Sequence, residues 1–246
     1  MAADYLLQYR GSAFRQLFGR AGEQGTAVRD RLEQAMYKLQ RNLTDEETAL
    51  RAYDTLCDEV EEVLDESLEK ASSHIDVRSI SNFHKQISLA RNLAKKENYE
   101  VPVLINGQIN SINLQIMSNE QDAGKVKITF SSDVYGKVYA SFQAKEIAYP
   151  EEATVVSGMI ASSDDEGIEL LKKAEKVIRQ ELTTDKCIVE DLFFTVSKSV
   201  DINTVDTLSG QGQHISDDSE DKKIATKTLY DIAKAFIIAI QSQKGE

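Results

Sequence analysis

The sequence has little of what catalysis usually requires. Its three histidines, His74, His84 and His214, are scattered, and no pair has the spacing of metal ligands. Gly19, Gly22 and Gly25 in GRAGEQG make neither a phosphate-binding loop, which needs Gly-Lys-Ser/Thr, nor a dinucleotide fingerprint following a strand. No Gly-x-Ser-x-Gly occurs. The two cysteines, Cys57 and Cys187, both lie in apolar-periodic patterns. They read as buried free thiols, and two isolated cysteines suit a reducing compartment better than a disulfide framework. No run approaches the ~18 apolar residues of a membrane span, and MAADYLLQYRGSAF lacks the apolar stretch of a cleaved signal peptide. A cytoplasmic protein is expected, with export by an uncleaved signal left open. Basic charge is also short: 29 Lys and Arg against 41 Asp and Glu give a net charge of −12. That balance disfavours nucleic acid and anionic membrane surfaces as partners. No catalytic residue, metal or cofactor is expected.

What is present is material for a fold. With 246 residues and 41% hydrophobic content, the chain can build one large domain or two small ones. Residues 101–144 carry the clearest pattern. Asn106-Gly107 separates two apolar runs, and a type I′ turn needs positive φ at both of its central residues. After Gly124, Val126, Ile128 and Phe130 alternate with Lys125, Lys127 and Thr129; after Gly136, Val138, Ala140 and Phe142 alternate with Lys137, Tyr139 and Ser141. Such alternation predicts an antiparallel meander of four strands with one buried and one solvated face.

Before the meander, residues 1–98 read as helices, at about 3–18, 27–42, 45–71 and 79–96, from apolar spacings of three and four. Thr44 to Glu47 and Ser163 to Glu166 read as capping boxes, with Thr44 and Ser163 as the caps. The third helix pairs an apolar stripe with an acidic face: Asp54, Asp58, Glu59, Glu61, Glu62, Asp65, Glu66 and Glu69. A regular helix does not supply a calcium loop. Contact with the basic side of the helix before it (Arg29, Arg31, Lys38, Arg41) accounts for both charge patterns.

After the meander, 154–162 reads as a strand, 163–182 as a helix and 187–200 as a strand, which together make a crossover. Residues 203–222 are polar and read as a disordered loop. A helix at 223–242 has a broad apolar face: Leu229, Ile232, Ala233, Phe236, Ile237 and Ile240. It should dock on the sheet of the same molecule; alternatively Leu229, Ile232, Ala233, Phe236 and Ile240 are a tethered partner-binding face. The expected fold is α+β: a helical region at 1–98, an α+β domain at 99–202, the loop at 203–222 and a docking helix at 223–246.

Several of these residues also resemble a known family. Pro102-Val103, the strand INLQI (112–116), Gly124-Lys-Val126-Lys-Ile128-Thr-Phe130 and Gly136-Lys-Val138-Tyr-Ala140-Ser-Phe142 are similar to the C-terminal domain of flagellar hook-length control proteins and related clostridial proteins. The strand and helix at 154–182 fit the same order. The resemblance implies a non-enzymatic protein-binding module that contacts a type III export-gate component and switches substrate class. The family also carries a long Pro-, Gln- or Ser-rich N-terminal gauge; here the chain holds two prolines and its first hundred residues read as helices, a departure from that pattern. Two other readings stand beside this one. The first is a self-associating structural protein built on the N-terminal helices; the second is an enzyme with an unrecognised site.

Overall fold

A computed structural model describes residues 26–69, 74–118, 124–145, 154–183, 187–197 and 226–242. The expected helix at 3–18 and the polar stretch 203–222 lie outside these residues. Three helices come first: α1 (Thr26–Arg41), α2 (Glu46–Glu69) and α3 (His74–Ala94). Five strands follow: β1 (Asn98–Ile105), β2 (Gln108–Met117), β3 (Lys125–Ser132), β4 (Gly136–Lys145) and β5 (Thr154–Ser162). Then come α4 (Asp165–Leu182), β6 (Cys187–Val196) and α5 (Thr226–Ser242). The strands form one sheet in the order β1-β2-β3-β4-β5-β6. β3–β4 and β4–β5 are antiparallel, and β5–β6 is parallel, with α4 as the crossover. This is the expected α+β fold. The chain divides into two compact units inside β2, at Leu114/Gln115. That division lies beyond the change of composition at 98/99, so β1 and most of β2 go with the helices.

In the first unit the ion pairs fix the helix directions. Arg31, early in α1, meets Glu59, Glu62 and Glu66, late in α2. His84 of α3 meets Asp65, and Arg91 meets Asp54, Asp58 and Glu61. Both neighbours therefore run antiparallel to α2. Leu32, Met36 and Leu39 of α1, Tyr53, Leu56 and Val60 of α2 and Ile87 of α3 are buried. The Tyr53 ring meets Tyr99 of β1 edge-on, with centroids 5.6 Å apart. The hairpin turns where expected, with φ of 48° at Asn106 and 77° at Gly107.

Both capping assignments move by one residue. Asp45, not Thr44, caps α2 by accepting the Thr48 amide at 2.9 Å, and Thr44 donates its hydroxyl to Asp45. Asp164, not Ser163, caps α4 by accepting the Gly167 amide at 2.8 Å. In each case a carboxylate takes the place given to a hydroxyl. The charged acceptor makes the stronger bond and complements the positive end of the helix. The Thr48 amide bond accordingly holds the Asp45 carboxyl below its ordinary range. Ser163 is used elsewhere, accepting the Lys137 amide at 2.9 Å.

In the second unit, Val126, Ile128, Phe130, Val138, Ala140 and Phe142 are all buried, as alternation requires. The opposite face is not the wet one expected. Lys137 is exposed, but Lys125 and Lys127 are half-buried, and Tyr139 and Ser141 on β4 are buried. β4 lies between β3 and β5, and a tyrosine at an outward position still has a ring to bury. α5 covers β3 and β4 and packs along α4. Phe236 meets Phe130 and Phe142 edge-on, at 6.3 and 5.8 Å.

Tyr135, in the β3–β4 turn, joins these parts. Its hydroxyl donates to the Ile240 carbonyl at 2.9 Å, near the C-terminal end of α5, where carbonyls lack helical partners. Its own carbonyl accepts the Ser162 hydroxyl at 2.7 Å. Gly167 packs so closely that a Cβ there would lie 2.5 Å from the Tyr135 oxygen. Gly167→Ala should therefore destabilise the second unit, although alanine is favoured over glycine within helices by about 1 kcal/mol. Phe236→Ala should cost about 3–5 kcal/mol. Both are read from denaturant midpoints; an unchanged midpoint for either places the contact wrongly.

Candidate functional surface

The five side chains of the tethered partner-binding alternative, Leu229, Ile232, Ala233, Phe236 and Ile240, are fully buried in the second unit. α5 is docked, and a partner could reach this face only by displacing it. The helix is buried on nearly every side, since Tyr230, Ala235, Ile237 and Ala239 are buried too.

The acidic ridge of α2 is largely engaged in ion pairs. Arg31 of α1 and Arg91 of α3 pair with six of its carboxylates, and the His84 ring of α3 lies 3.2 Å from a seventh, Asp65. The expectation that α1 answers this charge holds for Arg31, while Arg29 pairs with Glu33 on its own helix at 2.7 Å. The contribution of Arg91 and His84 from α3 was not visible in the sequence. Such exposed pairs contribute little stability each, so their effect lies more in helix register. The described residues contain no group of three or more His, Cys, Asp or Glu able to hold a metal ion. No described helix is long and apolar enough to cross a membrane.

Both cysteines are free and buried. Burial pushes the Cys57 thiol from 9.0 up to about 12, against the opposing pull of the Arg91 guanidinium. Burial also raises Cys187, and the Asp231 carboxylate adds to it. Neither thiol is set up as a nucleophile, which would need a lowered pKa and access.

β6 is different. Among the described residues it ends the sheet order, and it carries three of the exposed large apolar side chains: Ile188 at 50%, Phe193 at 63% and Val196. Ile188 pairs with Val155 and Phe193 with Met159 of β5, which places a half-buried apolar row beside the exposed one. Between these positions the register shifts. Val156 to Gly158 on β5 faces Val189 to Leu192 on β6, so β6 holds one extra residue in a bulge at Glu190-Asp191. Both acids are exposed and form no ion pair among the described residues. Arg179 of α4 donates to the Val189 carbonyl at 2.8 Å and reaches the Glu190 carbonyl at 3.4 Å. Sequence reading found this strand but not its exposure. The signal was the acid pair inside an apolar run, a mark of an edge strand.

Comparison with protein-family models, with curated proteins and with solved structures finds no match.

The buried thiol gives a pH test. Below about pH 9 Cys57 is neutral in both folded and unfolded chains, so its contribution does not vary. Above that, the unfolded thiol ionises while the folded one resists, so stability should fall until the pH passes about 12. The alkaline decline measured by urea unfolding should be shallower in Cys57→Ala. Equal slopes would show that the thiol ionises as easily in the folded protein.

Proposed function

We propose that the chain is a non-enzymatic protein-binding module that engages its partner through β6. The observation carrying this reading is the exposure of Ile188, Phe193 and Val196 on an outermost strand. Large apolar side chains left in water on both faces of an edge strand suit an interaction surface, and an open strand edge is a template for another strand. The narrower reading, a regulator of flagellar type III export that meets an export-gate component, is supported by the sequence resemblance of residues 101–182.

Self-association through the N-terminal helices is a second reading. Tyr37 on α1, Leu68 on α2 and Val77 and Leu89 on α3 are exposed, and they favour it. Light scattering separates the two: a monomer across the working concentration range excludes self-association through the helices.

The β6 reading is tested by photo-crosslinking in cells that make the chain. A photoreactive phenylalanine at position 193 should give a discrete protein adduct, and the same group at exposed position 172 on α4 should not. No adduct at 193, or equal adducts at both positions, would refute it.

A further inference from the structure

We infer that the open edge of β6 receives an extended polypeptide segment in which basic residues alternate with apolar ones. This rests on the protein-binding reading above and adds the chemistry of the occupant.

The two halves of β6 differ. The first half is blunted, since the bulge at Glu190-Asp191 interrupts the ladder and Arg179 takes carbonyls there. Bulges and covering side chains are the usual protection of a sheet edge. The second half, Leu192–Val196, pairs regularly with Gly158–Ser162 on one side. Among the described residues nothing pairs with its other side. A strand added there would place successive side chains on opposite faces.

The two faces call for different side chains. One face is that of Leu192, Phe194 and Val196, aligned with Gly158, Ile160 and Ser162 of β5. Phe142 and Leu192 crowd Gly158 on this face, so apolar side chains suit it. The other face presents the Phe193 ring beside Met159, with Glu190 and Asp191, unpaired among the described residues, just upstream. A lysine or arginine there can lay its stem along the apolar row, set its charge over the ring and reach the carboxylates. Period-two alternation of basic and apolar residues meets both demands. A second copy of this chain fits poorly, because it brings a second acid pair to the same short edge on a chain of net charge −12.

The test uses the full chain and fluorescence anisotropy with labelled short peptides alternating lysine and valine, or glutamate and valine. The lysine peptide should bind saturably and more weakly as salt rises. The glutamate peptide, and the lysine peptide with proline at its centre, should bind at least roughly tenfold more weakly. Phe193→Ser should weaken the lysine peptide by a similar factor, about that of losing an aromatic anchor. Reversing both acids, Glu190→Lys with Asp191→Lys, should turn the preference toward the glutamate peptide. Equal binding of both peptides, or no effect of Phe193→Ser, overturns the inference. So does a concentration-dependent dimer that Phe193→Ser dissolves, which would give the edge to a second copy. A protein adduct at position 193 without lysine-peptide binding sinks only the assigned chemistry. Absence of both sinks the β6 reading as well.

Discussion

Phe236 stands edge-on to Phe130 and Phe142, and the second unit depends on that contact. The sheet alone would leave the apolar faces of β3 and β4 open. α5 closes them with side chains that are each worth about 1.5–3 kcal/mol when fully buried. Tyr135 then ties the far end of the helix to the turn that joins those strands. Burial removes its hydroxyl from water and pushes its pKa up to about 12, so the phenol remains a donor over any ordinary pH range. The same residue supplies the carbonyl that receives Ser162 and sets how closely α4 can begin. One turn residue thus holds a strand pair, a helix start and a helix end.

The two outermost strands are handled in similar ways. Pro102 lies on β1, a position an edge strand tolerates because proline has no amide to donate. Its carbonyl is taken by the Gln40 side chain of α1 at 2.8 Å. On β6 the corresponding donor is Arg179. In both units a helix beside the sheet supplies a long side chain that satisfies edge carbonyls. The protection of β6 stops at the bulge, and the exposed aromatic follows directly after it. The acids mark the boundary between a closed edge and an open one.

Much of the fold was legible because it is written in periodicities. The type I′ turn, the burial of Val126, Ile128, Phe130, Val138, Ala140 and Phe142, and the β5–α4–β6 crossover followed from alternation, Asn-Gly chemistry and helical spacing. The capping residues were missed by one position because the pattern Ser/Thr-x-x-Glu ignores which neighbour carries the stronger acceptor. The wet face of β4 was missed because alternation separates two faces without saying whether the second is covered; Tyr139 is polar at one atom and apolar over its ring. Tyr135 was invisible in SSDVYG, since its partners lie at Ser162, Gly167 and Ile240. The candidate surface was half legible. The strand could be read, but exposure is a property of its place in the sheet order, and no local pattern fixes that order.

The bond from Tyr135 to Ile240 spans 105 residues. Contacts of such separation form late, because the loop between them must close before they reward the chain. The first unit, built from adjacent helices and a two-residue hairpin, carries no comparable delay. In the second, any chain whose last helix has not docked leaves Phe130 and Phe142 in water. A sheet face left in that condition is the kind of surface through which one chain joins another, so the docking of α5 shields the strands from neighbours as well as completing the core.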